Sequence, residues 1–298
     1  MAAALPLPEL LESWLLALRA ERKSAATVKT YGDGVRRFFA WCEQNHHPIT
    51  LDRATVDAFI VDLLDAGTAP ATARSRHLAL KRFSTWLAEE GETDRDALVT
   101  SKPPKLDTPV TPGLTDEQLR ALLETCRGSS FCDRRDTALV RLLAETGLRA
   151  GEVTAMRRDD LDVPGGSAVI RRGKGGKGRV VPFSPQTGQA LDRYLRTRRT
   201  HRLAATQALW LGDRGKELAY HGLRKALGER AAAAGLDGFH LHLLRHTAAT
   251  RWLAAGGSEG GLMAVAGWSR REMLDRYTRA TAAERAAEEA RGLGLGEL

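Results

Sequence analysis

Leu10, Leu11, Trp14, Leu15 and Leu18 recur at the three- and four-residue spacings of a single helical face, the repeat that a 3.6-residue turn produces. Pro8 comes just before them, in a first turn where a missing N–H has no partner to lose. Ser24 can cap a second helix with Val28, Tyr31, Val35 and Phe38 on one stripe, and Val56, Phe59, Ile60, Leu63 and Leu64 predict a third. Gly67 and Pro70 separate that from a fourth, with Leu80, Phe83 and Leu87 inward. Residues 1–92 therefore read as a helical bundle.

Four of the eleven prolines fall between Lys102 and Gly113, in a stretch without apolar periodicity. Residues 93–113 read as an extended linker. A second domain, 114–298, then starts firmly: Thr115 and Gln118 fit a capping box, with Leu114 and Leu119 as a staple. Leu139, Val140, Leu142 and Leu143 mark a helix ended by Gly147. From 166 to 183 the pattern changes. Ser167 to Arg171 and Arg179 to Phe183 are β-compatible runs around a glycine-lysine turn, which predicts a hairpin. Helices resume, and Thr281 with Glu284 can cap a last Ala-rich helix. The fold class is mainly α, with a small antiparallel β-sheet in the second domain.

Charge narrows the possible partners. A net charge of +8 and a pI near 9.7 favour a polyanion, although 37 acidic residues can pair with many of the basic ones. Cys42, Cys126 and Cys132 form an odd set without CxxC spacing, which argues against disulfides and a zinc site and fits a reducing cytoplasm. No signal peptide or run long enough to span a membrane is evident.

The candidate chemistry is scattered: ETGLRAGEV with Arg149 and Glu152, RGKGGKGR with Lys174, HLLRHT with His242 and Arg245, and GWSRREMLDRY with Trp268 and Tyr277. Each segment alone has a plain alternative. GLRxGE can be a helix end, GKGGKG a solvated turn without the Lys-Ser or Lys-Thr of a phosphate loop, and HxxxH lacks the glutamate of a zinc protease. His240 and His246 read as supporting residues, and Tyr31, Tyr194 and Tyr220 as packing or surface residues. Ser269 and Glu272 suggest a capping box that sets Tyr277 on a short helix.

Together, in this order and spacing, the segments resemble the catalytic domain of the tyrosine recombinases, the phage-integrase and Xer-type site-specific DNA recombinases. TVKTYGDGVRRFFAWC and TARSRHLALKRFSTWLAEEG resemble the core-type DNA-binding domain of the same family. The resemblance implies that Tyr277 attacks a phosphodiester and leaves a 3′-phosphotyrosine and a free 5′-hydroxyl. Tyrosine has a pKa near 10, so about one molecule in a thousand is phenolate at pH 7, a deficit of roughly 4 kcal/mol. Two guanidiniums, Arg149 and Arg245, can offset the phosphate's charge and stabilise what builds on its non-bridging oxygens. His242 shares a helical face with Arg245 and can accept or donate a proton; the spacing leaves both roles open.

Lys174 matches the family's proposed donor to the departing 5′-oxygen, and Glu152 matches its acidic position. Trp268 stands where many members have histidine; its indole can donate to phosphate but cannot act as a base. The resemblance further implies no cofactor and no metal, double-stranded DNA as partner, a homotetramer on two synapsed sites from protomers that are monomers in free solution, and a cytoplasmic, nucleoid-associated location. A type IB topoisomerase and a non-catalytic DNA-binding protein remain the alternatives. Arg74 and Lys81, seven apart, share a helix face that the pattern leaves free for DNA phosphates. The tail after Ala280 is expected to pass to a neighbouring protomer.

Overall fold

The computed structural model describes residues 6–106, 112–171 and 178–278. The chain divides into two compact units, Met1–Thr108 and Pro109–Leu298. In the first, four helices follow the predicted stripes: α1 (Leu7–Ala20), α2 (Ala25–Gln44), α3 (Arg53–Asp65) and α4 (Pro70–Glu89). Their starts are set locally. The Ser24 hydroxyl accepts the Thr27 N–H at 3.1 Å and the Asp52 carboxylate accepts that of Thr55 at 2.9 Å, while prolines open α1 and α4.

The stripes meet in one core around Trp14, Phe38, Phe59 and Phe83, none more than 2% exposed. Full burial of such a side chain contributes about 1.5–3 kcal/mol. Ring contacts join the helices, Trp14 to Phe83 at 5.1 Å and Phe38 to Phe59 at 5.4 Å. Tyr31 stacks on Trp14 at the edge of this core.

After α4 the structure departs from the expected linker. Residues 96–104 are fastened along α4, because the helix offers them a row of donors. Ser84 and Thr85 donate to the Asp96 carboxylate at 2.6 and 2.8 Å, and Leu98 is fully buried in the core. His77 meets Ser101 at 2.7 Å. Lys81 donates to the carbonyls of Val99 and Ser101 at 2.7 and 2.9 Å, and Arg74 to that of Pro104 at 2.8 Å. Arg74 and Lys81 do share a face, as expected, but that face is occupied by their own chain and does not present two free cations.

The second unit contains α5 (Asp116–Thr125), α6 (Phe131–Thr146), α7 (Ala150–Thr154), a 3₁₀ turn at Arg158–Asp160, and strands β1 (Leu161–Asp162), β2 (Ser167–Ile170) and β3 (Arg179–Pro182). There follow α8 (Pro185–Arg198), α9 (Tyr220–Ala233), α10 (Leu241–Ala254), α11 (Glu259–Ala266) and α12 (Glu272–Thr278). The capping box at Thr115 and Gln118 is formed in both directions. The hairpin pairs Ser167 with Pro182 through Ile170 with Arg179, antiparallel, and β1 adds a third strand too short for alternation to reveal. Lys174 in its turn, and the last Ala-rich helix, lie outside the described residues.

Helix α6 runs through the core, with Leu139, Val140 and Leu142 fully buried among α8, α9 and α10. The Thr247 hydroxyl on α10 accepts the N–H of Leu114 at 2.8 Å, tying the start of α5 to the helix that carries His242 and Arg245. One local expectation fails. Helix α12 begins at Glu272, later than a Ser269 cap would set it, because the carbonyls of Arg270 and Arg271 accept the first N–H groups, from Met273 at 3.2 Å and Leu274 at 2.8 Å.

Candidate active site

Gly147 ends α6 in the left-handed region at φ 62°. A residue with a Cβ would be strained there. The turn it makes sets Arg149 at the head of α7, where Glu152 closes a box around it. The Glu152 carboxylate accepts the Arg149 backbone N–H and its guanidinium, both at 2.9 Å. It also accepts both terminal nitrogens of Arg179, at 3.0 and 2.8 Å. Burial pushes the Glu152 carboxyl up, but Arg179 and Arg149 outweigh it and hold the group below its ordinary value.

Helix α10 puts His242 in its first turn, exposed, and Arg245 one turn further on, 2% exposed. Arg245 donates to the carbonyl of Gly147 at 2.5 Å and that of Ala266 at 2.8 Å, with its guanidinium 5.2 Å over the Trp268 ring. Burial, and then the positive charge of Arg149, pull Arg245 down to about 10. It therefore keeps its charge near neutral pH.

Trp268 follows Gly267, the left-handed cap of α11. Its indole stacks on the Tyr277 ring at 5.2 Å with 14° between planes. The indole Nε1 is buried and has no hydrogen-bond partner among the described residues. Tyr277, half-buried on α12, meets the His246 ring at 5.2 Å, and His246 meets His242 edge-on at 4.8 Å.

The fold thus assembles Arg149, Glu152, Arg245, Trp268 and Tyr277 from four segments, and it approaches His242 through His246. Sequence reasoning placed His246 only as a support and missed Arg179 altogether. His246 had a signal, its position one turn after His242. Arg179 had none beyond opening a β-compatible run, since Glu152 lies 27 residues away. Tyr194 is fully buried, donates to the Leu209 carbonyl and accepts from the Leu211 N–H, and its phenol is pushed up to about 12 by burial. It is unsuited to attack, whereas Tyr277 stacks on Trp268, over which the Arg245 guanidinium lies. Such a cluster can hold a tetrahedral anion against the phenol. Among the described residues no group of His, Cys, Asp and Glu is arranged to hold a metal, and no helix is long and apolar enough to cross a membrane.

Known proteins are similar to this chain along most of its length. The profile of the Phage integrase family matches residues 113–284, and that of the Phage integrase N-terminal SAM-like domain matches residues 10–92. Tyrosine recombinase XerC of Roseiflexus castenholzii is 34% identical over 263 residues, covering 83% of this chain and 81% of its own. The XerH site-specific recombinase bound to palindromic difH, a post-cleavage complex, is similar with a TM-score of 0.73 at 20% identity, over 94% of this chain and 83% of that one. A lambda integrase tetramer bound to a Holliday junction gives 0.68 at 17% identity, over 89% and 78%. At these identities the two structural likenesses concern the fold.

Proposed function

This chain belongs to the phage integrase family of tyrosine recombinases, site-specific enzymes that cleave and rejoin DNA, and from that premise we propose that Tyr277 is its nucleophile. The Tyr277 oxygen attacks the phosphorus of a DNA backbone phosphodiester. A bond from phosphorus to the tyrosine oxygen forms as the bond to the 5′-oxygen breaks, leaving a 3′-phosphotyrosine and a 5′-hydroxyl. The phenolic proton goes to a base, for which the His242–His246 pair beside the ring is the candidate, and the 5′-oxygen leaves with a proton, for which Lys174 is the candidate donor. Attack by a partner strand's 5′-hydroxyl reverses these steps and reseals the backbone. The phosphotyrosine conserves the bond energy, so this route needs neither a nucleotide triphosphate nor a metal.

Arg149 and Arg245 offset the negative charge of the phosphate and of its pentavalent transition state. Trp268 contributes its buried indole N–H to a non-bridging oxygen and a flat surface that orients the Tyr277 ring. Glu152 fixes Arg149. The observation that carries the reading is the contact series Arg245–Trp268–Tyr277, which joins a buried guanidinium, an unsatisfied donor and a phenol in one place.

Double-stranded DNA is the substrate. The N-terminal helical domain, residues 1–92 in the sequence reading, adds a DNA-binding element of its own, and four protomers act on two sites. The tail after Ala280 lies outside the described residues; its exchange between protomers would link one tyrosine to the next. The deciding test incubates the protein with sheared genomic DNA of its source organism, denatures it and sequences the DNA that remains covalently attached. Discrete cleavage positions are expected, with none for Tyr277→Phe. Adducts of normal yield from that variant, or none from the wild type, would sink the assignment.

A further inference from the structure

Helix α11 ends on carbonyls that its own backbone cannot satisfy. Two of the last ones are taken by the chain turning away: Gly267 N–H reaches Ala264 and Trp268 N–H reaches Met263 at 2.9 Å. The next three go to three different arginines. Arg179 Nε donates to Val265 at 2.8 Å, Arg245 Nη2 to Ala266 at 2.8 Å, and Arg149 Nη2 to Gly267 at 3.2 Å. The negative end of one short helix is therefore the common anchor of both phosphate-binding candidates, immediately before Trp268.

The third arginine differs from the other two. Each of the three nitrogens of Arg179 is engaged, Nε by Val265 and both terminal nitrogens by Glu152, and its side chain is 12% exposed. Three of its five N–H donors are taken, and little of the side chain is left exposed to meet DNA. Its charge matters to its neighbours instead. Glu152 is a buried carboxylate bonded to Arg149, and with Arg149 as its one cationic partner it would neutralise the guanidinium that must meet phosphate. With Arg179 gripping the carboxylate through a two-pronged bond, Glu152 can orient Arg149 without cancelling it. The fit at Gly267 points the same way: a Cβ there would lie 2.8 Å from the Arg179 guanidinium, so the close approach of arginine to helix end depends on that glycine.

We propose that Arg179 is a positioning residue for DNA cleavage, which neutralises Glu152 and pins the end of α11 so that Arg149 and Arg245 face the scissile phosphate at full charge. It rests on the reading of those two arginines as the phosphate pair. A role confined to holding β3 against α11 would lower stability and nothing else.

Single-turnover cleavage separates the two, measured at saturating protein on a suicide duplex built around a mapped cleavage position, with wild type and Tyr277→Phe run alongside. Arg179→Met is expected to cleave at least tenfold more slowly while its duplex affinity stays within twofold of wild type. Adding Glu152→Gln removes the charge that Arg179 balances, so the double variant should cleave at least threefold faster than Arg179→Met alone. Cleavage by Arg179→Met within twofold of wild type, or a double variant no faster than Arg179→Met, would overturn the proposal. If Arg179→Met lacks a cooperative thermal transition, Arg179→Lys carries the comparison. It keeps the charge but loses the fork, so at least a threefold loss, relieved by Glu152→Gln, is expected, and a wild-type rate would overturn the proposal. Failure of the wild type itself to form an adduct would count against the nucleophile reading, not against Arg179.

Discussion

The two units place their cations in the same way and to different ends. On α4, Arg74 and Lys81 donate to backbone carbonyls of the segment that leaves the helix. At the end of α11, Arg149, Arg179 and Arg245 donate to backbone carbonyls of a helix distant from each of them in sequence. In the first unit the contacts are spent on shape. In the second, Arg245 also lies over the indole that stacks on Tyr277, and the carbonyls serve as an aiming device. A basic residue facing carbonyls is thus no sign of function by itself; what distinguishes the site is the group it faces next.

The sharpest way to break this contrast is to remove the aimed charge. Arg245→Ala and Arg149→Ala should each lower single-turnover cleavage by about 10²–10³, the loss that follows removal of one transition-state donor. Lysine at either position should rescue poorly, because it cannot hold a helix carbonyl and a phosphate oxygen with one planar fork. Either alanine variant cleaving near the wild-type rate would remove that arginine from the phosphate.

A smaller effect is expected from the anchor. Gly267 has φ 63°, and a Cβ added there would meet the Arg179 guanidinium at 2.8 Å. Gly267→Ala should lose about 1–2 kcal/mol of stability from the left-handed conformation and about tenfold in cleavage, taking 1.4 kcal/mol as a factor of ten. Thermal unfolding and single-turnover rates together check this. A stability loss with unchanged cleavage would make the helix end a mere scaffold.

These contacts explain what the sequence could and could not disclose. The four-helix stripes were legible because each helix writes its buried face at a fixed spacing, and Trp14, Phe38, Phe59 and Phe83 follow that rule into the core. Thr115 with Gln118 and the Gly147 stop were legible because caps are local. Arg149, Arg245, Trp268 and Tyr277 could be picked out by order and motif. Arg179 could not, since a carbonyl acceptor is supplied by any residue and leaves no trace in composition. The attachment of residues 96–104 to α4 was hidden for the same reason, and prolines nearby favoured a looser reading. The Ser269 box had the right letters, yet the Arg270 and Arg271 carbonyls set a later start for α12.

Acid titration compares the two units directly, since each has a carboxylate held below its ordinary range. For Asp96, burial pushes up, but the hydroxyls of Ser84 and Thr85 and the Leu98 N–H prevail; for Glu152, burial is likewise outweighed by Arg179 and Arg149. A depressed native pKa contributes stability above the unfolded value, near 4, and that contribution is lost as pH falls through the native one. Asp96→Asn and Glu152→Gln should each be less stable than wild type at pH 7, and the gap should close as pH falls below about 4. Melting temperatures across that range test this, and a constant gap would remove the linkage.

The smallest expected effect belongs to the cations of α4. Arg74→Gln exchanges an exposed guanidinium bound to the Pro104 carbonyl for a shorter amide, and Lys81→Gln removes an ammonium held by two carbonyls. A hydrogen bond from a charged group is worth about 1.5–3 kcal/mol at most, and less where water competes, so a loss of about 1 kcal/mol is expected for each. If these cations serve shape, the slope of log affinity against log salt on duplex DNA should be the same for variant and wild type. A phosphate contact would instead flatten that slope by about 0.9 for each charge removed. A flattened slope with unchanged stability would mean that on DNA these side chains leave their carbonyls for the backbone, and the division drawn between the two units would then hold only for the free protein.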